Sequence, residues 1–316
     1  MQRIAITGGL GLQGSRLAER LMKEGHYVKV FDNGQRGHNQ GKCHEWQDID
    51  LRWRVPDFRT FDTVYHLAAH LGGVEYTHGG HDHMMMLDNL GIDTNVFRAA
   101  AQAKVQKVIF ASTACVYPVS KQTEWNSVLK ESDAFDPVEP ESGYGWAKLT
   151  AEILLTKMHR ANFIPRVSIF RLFNVYGPGE DYAVGSHVVP ELLRKVLFED
   201  TIEVYGTGNQ GRCFLYVEDA VDAYEKALNV DFVEPVNIGT DRPIRIAELV
   251  QKMCELANSW KPIEFNPKKP TGVTGRVPDL ARAKAILNWT PRTGLDEGLR
   301  ATIQWMKAQP LLNVKI

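Results

Sequence analysis

Tyr144 and Lys148 stand four positions apart in Tyr144-Gly145-Trp146-Ala147-Lys148. On a helix that spacing puts both side chains on one face, a turn apart. An ammonium favours a nearby phenolate, so Lys148 is expected to lower the Tyr144 pKa from about 10 toward neutrality. Tyr144 could then accept a hydroxyl proton while hydride leaves the same carbon. Taken alone, such a pair is more often an ordinary surface pair. Its neighbours give it meaning. Ser112-Thr113-Ala114-Cys115 follows a strand-like run, and ligands sit at the carboxyl ends of parallel strands. Thr113 can hydrogen-bond a reacting hydroxyl or its carbonyl product. Cys115 suits proton transfer, because a thiol pKa near 8.5 can be lowered by a cationic neighbour. The alternative for Cys115 is a buried structural thiol.

A second constellation precedes these. In Gly8-Gly9-Leu10-Gly11-Leu12-Gln13-Gly14, glycines 8, 11 and 14 lie between a strand-like and a helix-like segment. Such a turn lets backbone approach a pyrophosphate, with the helix N-terminus supplying N–H groups and partial positive charge. Asp32 ends the next strand-like run, eighteen positions after Gly14. A carboxylate there can bond ribose hydroxyls and repel a 2′-phosphate, which favours NAD over NADP. Arg36 is the counter-argument. Asp48-Ile49 is a weaker candidate for an adenine contact.

The elements that must position these groups alternate. Arg3–Thr7, Tyr27–Asp32, Thr63–Ala69, Lys107–Ala111 and Arg166–Val175 read as strands. Helical patterns run from Leu12 to Gly25, Met84 to Ala103 and Tyr144 to Arg160. This predicts an α/β, doubly wound parallel (Rossmann) sheet over residues 1–175. Shorter strands and helices beyond predict a smaller, interleaved α/β substrate domain over 176–316. The net charge of −1 offers no field for nucleic acid, and no apolar run approaches the roughly 20 residues of a membrane helix. Four dispersed cysteines and no leader-like start point to reduced thiols in the cytoplasm. His78, His81 and His83 cluster around Asp82, but the spacing fits no common zinc pattern, so no metal is expected.

In order, the glycine turn, His66-Leu67-Ala68-Ala69, the Ser/Thr segment, Tyr-x-x-x-Lys and Arg171-Leu172-Phe173-Asn174-Val175-Tyr176-Gly177-Pro178 occur. Gly206-Thr207-Gly208-Asn209-Gln210-Gly211-Arg212 and Val217-Glu218-Asp219 follow. Together they resemble the nucleotide-sugar epimerase/dehydratase branch of the extended short-chain dehydrogenases over nearly the whole chain. Leu71-Gly72-Gly73-Val74, Thr113-Ala114-Cys115-Val116-Tyr117-Pro118 and Gly272-Val273-Thr274-Gly275-Arg276 look most like the GDP-mannose 3,5-epimerase family.

The resemblance implies NAD, held by Gly8, Gly11, Leu12, Gln13, Gly14, Asp32, Asp48, Ile49, Leu67, Ala68, Ala69 and Asn89, with Tyr144 and Lys148. It implies Thr113, Tyr144 and Lys148 for redox chemistry and Cys115 as one of two acid/base groups. Gly73, Val74, Asn174, Val188, Arg212 and Arg276 would hold a nucleotide-diphosphate sugar. The family's second acid/base is a lysine; here His187 falls in its place, and a histidine can move protons near neutral pH. The implied activity is epimerisation through a 4-keto intermediate, with proton exchange at C5, C3 or both. Loss of the C6 hydroxyl from that intermediate would instead make a 4,6- or 5,6-dehydratase of a UDP-, GDP- or dTDP-sugar. A catalytically silent NAD-binding regulator is the remote alternative. Relatives pair through a two-helix face, which implies a homodimer.

Overall fold

Strands buried on both faces demand helices on both sides. Ile4, Ala5, Ile6, Val28, Val30, Val64 and Tyr65 are all fully buried. The computed structural model describes residues 1–35, 43–78, 80–183 and 185–309. Arg36 lies outside the described residues. So does Gly79, and the side chain of His78 is likewise not described.

Strands β1 (Arg3–Thr7), β2 (Tyr27–Asp32), β3 (Glu45–Asp48), β4 (Thr63–His66), β5 (Lys107–Thr113), β6 (Arg166–Leu172) and β7 (Phe232–Ile238) form one seven-stranded sheet. Every pairing in it is parallel, in the order β7-β6-β5-β4-β1-β2-β3. The chain winds outward from β1 to β3, then returns to β4 and winds the other way. The reversal opens a crevice at the carboxyl ends of β1 and β4. The doubly wound expectation therefore holds. The strand expected to run to Ala69 stops at His66. There Leu67 N bonds Thr7 O and Ala68 N bonds the Thr7 hydroxyl, so the ladder ends where β1 ends.

One face carries α1 (Leu12–Lys23) and α5 (Val217–Ala227), whose Leu17, Leu21, Ala220 and Tyr224 share a core with Ile4, Ile6 and Val28. The other carries α2 (Asp82–Gln102) and α3 (Gly143–Arg160), with Ile92, Val96, Phe97, Ala151 and Leu155 against Ala5 and Val64. A third core joins α4 (Val188–Phe198) to the helices Ile246–Ala257 and Leu295–Ala308. Although α5 and β7 come after residue 175, they complete the large layers.

The glycine turn is sterically tight. Gly8 has φ of +70°, and a Cβ there would lie 2.7 Å from Ala68 N. At Gly14 a Cβ would sit 2.3 Å from Gly8 O and 2.6 Å from Gly9 Cα, both backbone atoms that cannot swing aside. Gly14→Ala is therefore expected to cost about 3 kcal/mol, at the upper end of overpacking penalties, and to abolish NAD binding. Thermal unfolding and NAD titration of the variant check both.

Candidate active site

Thr113 ends β5, and its side chain accepts from Cys115 N at 3.1 Å, closing a short 3-10 turn over Ala114–Val116. Tyr144 lies in the first turn of α3, which is capped by the Ser142 hydroxyl accepting from Gly145 N at 3.3 Å. Glu141 N bonds Cys115 O, so the start of α3 is tied to the cysteine turn. A cavity of about 360 Å³ opens beside these groups, and Thr113, Cys115, Tyr144, His187, Arg212 and Arg276 all line it. Gln13, Leu67, Ala69, Gly73, Val74, Asn174 and Val188 line it too. Gly73 crosses close under the loop before α4: a Cβ would stand 2.4 Å from Ser186 O. The sequence candidates from opposite ends of the chain thus converge.

The electrostatics differ from expectation at Tyr144. Burial, then Cys115 and Asp93, push its phenol well above the ordinary tyrosine value, against a hydrogen bond from Thr113. Lys148, expected to depress it, is not among the groups that act on it, and its ammonium donates to Asp93 at 3.1 Å. Burial also raises the Cys115 thiol; Arg276, with Nη1 3.6 Å from Sγ, pulls it down, and Glu141 pushes it back up.

Glu141 was not singled out from the sequence. It forms an ion pair with Arg276, whose Nε donates to Gln122 at 2.6 Å. Burial opposes its charge, yet Arg276 and Arg212 hold the carboxyl at about 2. Arg212 anchors itself on Val273 O at 2.8 Å and Thr271 O at 3.2 Å. Burial and the neighbouring Arg276 lower it to about 10. Because Glu141 is depressed from 4.5 to about 2, the stability it contributes is complete above the ordinary value and is lost as pH falls through that window. Glu141→Gln leaves Arg276 unopposed beside Cys115. The thiol pKa should drop, raising its alkylation rate near neutral pH a few-fold. Iodoacetamide kinetics checks this, with Cys115→Ser as the blank for the other three cysteines.

Across the cavity His187 precedes α4, and its Nδ1 lies 2.9 Å from Glu180 Oε1. Glu180 is buried, and burial raises its carboxyl. The bond fixes one ring nitrogen. Glu180 was also not singled out, since one more acid in a loop carries no spacing signal.

The residues expected to hold the dinucleotide include the first turn of α1 and the ends of β2 and β3. Gly11 caps α1 without a side-chain acceptor, so the first-turn amides face the turn. Asp32 accepts from Leu10 N at 3.1 Å and Gly34 N at 2.9 Å, which fixes both oxygens at the β2 end. Burial raises its carboxyl. Asp48 is exposed at the end of β3, in register with Asp32, and Ile49 behind it is buried. Asn89 does not line the cavity: its amide bonds Met85 O at 2.7 Å and His70 O at 2.9 Å, holding the loop ahead of Gly73. These donors and acceptors fit NAD: amides for the pyrophosphate, a carboxylate for the ribose. Among the described residues, no group of three or more His, Cys, Asp or Glu could hold a metal ion, and no helix is long and apolar enough to cross a membrane.

A doubly wound sheet with this turn, this acid and a Tyr/Lys pair at its carboxyl edge defines a dinucleotide-dependent enzyme. The chain belongs to the NAD dependent epimerase/dehydratase family, whose model matches residues 4–239. It is similar to GDP-mannose 3,5-epimerase 1 of Oryza sativa subsp. indica, 36% identical over 316 residues, covering 97% of this chain and 82% of the relative. It is also similar to the UDP-N-acetyl-alpha-D-glucosaminuronate decarboxylase of Bacillus cytotoxicus, 33% identical, with 97% and 98% covered. Among solved structures it resembles TunA, an NAD-dependent NDP-hexosamine 5,6-dehydratase of tunicamycin biosynthesis. That match has a TM-score of 0.85 and 26% identity over 99% of this chain and 100% of that one. MoeE5 in complex with UDP-glucose and NAD matches with a TM-score of 0.79 and 28% identity, over 96% and 98%.

Proposed function

We propose that the chain is a nucleotide-sugar epimerase that oxidises its substrate transiently at C4 and exchanges protons at C5, C3 or both. The observation that carries this reading is that Cys115 and His187, two groups able to move protons, line the same cavity as Tyr144. Bound NAD would supply a reversible acceptor for the C4 hydride. Tyr144 takes the hydroxyl proton, and Thr113 holds the oxygen as it becomes a carbonyl. That carbonyl acidifies the hydrogens on C3 and C5. A base on one side of the ring removes one, and an acid on the other returns it with inversion. Arg212 and Arg276 offer charge to the diphosphate. Similarity to the rice epimerase supports a GDP-sugar.

A second reading, dehydration with loss of the C6 hydroxyl, is favoured by the full-length similarity to TunA. Incubation with NAD and GDP-mannose in heavy water, read by NMR, separates the two. UDP-glucose, UDP-N-acetylglucosamine and their uronic acids would be run in parallel. Deuterium at C3 or C5 with inverted configuration is expected. Loss of the C6 oxygen would move the assignment to dehydratase, and no exchange with any sugar would sink the proposed chemistry.

In this reading residues 1–175 bind cofactor and 176–316 bind the nucleotide sugar, with α5 and β7 returning to the first part. Met84 and Leu87 on α2, with Trp146 and Ile153 on α3, are exposed apolar side chains that support a homodimer through this helix pair. Sedimentation of the full chain tests it. The unpaired cysteines support a reducing, cytoplasmic setting.

A further inference from the structure

The roles above leave unused a buried ion pair behind Lys148. Its ammonium and the Asp93 carboxylate are 1% and 2% exposed, and the ammonium also sits 4.5 Å from the centre of the Phe110 ring. The same oxygen, Asp93 Oδ1, lies 2.9 Å from His66 Nε2. A carboxylate only accepts, so His66 must carry its proton on Nε2. Its Nδ1 then accepts from the Thr7 hydroxyl at 2.7 Å, while that hydroxyl accepts from Ala68 N at 3.3 Å. Burial lowers the histidine pKa, which keeps the ring neutral. Along Thr7, His66, Asp93 and Lys148 the charges are therefore one anion and one cation. Asp93 Oδ2 is buried and has no hydrogen-bond partner. A carboxylate lacking that donor relies on Lys148 for its neutralisation, and Lys148 has its charge offset in return.

We propose that Asp93 is a positioning residue that clamps the Lys148 ammonium and withholds its charge from Tyr144 before cofactor and substrate assemble. This rests on the reading of Tyr144 and Lys148 as the redox pair. All but one of the groups acting on Tyr144 agree in sign. Cys115 lies on the turn after β5, Asp93 on α2 with His66 behind it, and Tyr224 on α5. Arg276 and Glu141 stand beyond Cys115 as a pair. Burial, Cys115, Asp93 and Tyr224 all favour the neutral phenol, with the Thr113 bond opposing them. The ammonium that the Tyr-x-x-x-Lys spacing should aim at the phenol is turned to α2 instead. A Lys148 freed from Asp93 would favour the phenolate.

The test is a pH titration of tyrosinate absorbance on the full chain before NAD is added. Each protein is paired with its Tyr144→Phe counterpart, so that the difference isolates Tyr144 among ten tyrosines. Asp93→Asn keeps an acceptor for His66 and Lys148 but removes the charge. The expected result is at least a tenfold rise in the Tyr144 ionisation constant. A Tyr144-dependent signal would then appear at lower pH than in the parent. An unchanged titration in a folded Asp93→Asn chain overturns the proposal. Should that variant not fold, Asp93→Ser is read in the same way. Because no sugar is present, this outcome is independent of the reaction. Retained sugar oxidation in Tyr144→Phe would sink the redox reading instead.

Discussion

Tyr144→Phe should lower turnover about 10³-fold, within the range that one positioned acid/base group contributes, while leaving NAD and nucleotide-sugar affinity nearly intact. The loss falls on kcat because the missing oxygen matters when the hydroxyl proton leaves and little before. The fold should tolerate the change. Phenylalanine keeps the ring and removes only the oxygen, the first turn of α3 is held by the Ser142 cap, and Cys115 N still has Thr113 as its partner. Stopped-flow absorbance of reduced nicotinamide after mixing with sugar reads the oxidation step directly. Heavy-water exchange should fall in proportion, because no C4 carbonyl forms to acidify C3 or C5. Exchange at the parent rate would show that deprotonation does not depend on oxidation and would overturn this order of steps.

Five strands of the large sheet were legible from their apolar-rich runs; β3 is polar and mostly exposed, and β7, broken by Glu234-Pro235, joins the sheet from beyond residue 175. Tyr144, Lys148, Thr113 and Cys115 were legible because local spacing places them. What the sequence hid are partners that lie far along the chain and carry no motif. Glu141 meets Arg276 across 135 positions, and Lys148 meets Asp93 across 55. Lys148 is expected to help ionise Tyr144, but its ammonium is paired with the buried Asp93. At Cys115, Arg276 lowers the thiol, while burial first and Glu141 after it raise it. Asn89, which the resemblance places as a cofactor-supporting residue, makes its own contacts far along the chain too: its amide bonds His70 O in the loop after β4. In a low-dielectric interior the nearest counter-charge outweighs the side chain's place in a motif.

Cys115→Ser should stop proton exchange at the carbon it serves by about 10³-fold while C4 oxidation continues, so that reduced cofactor accumulates on the protein. A serine hydroxyl keeps the size but is far too weak an acid to replace a thiol beside Arg276. His187→Asn should produce the complementary defect. The Glu180 contact fixes Nδ1, so any proton transfer to sugar must use Nε2, and an asparagine cannot supply it at neutral pH. The two variants together assign the faces of the ring. If each serine or asparagine chain loses exchange at a different carbon, Cys115 and His187 each own one centre. If both lose exchange at C5 alone, one removes the proton and the other returns it, and inversion at C3 is not part of the reaction. Exchange at the parent rate in Cys115→Ser would leave Cys115 a structural thiol, and the base would have to be sought on the His187 side of the cavity. The accumulated reduced cofactor distinguishes these cases from simple loss of binding, since a chain that cannot bind sugar reduces nothing.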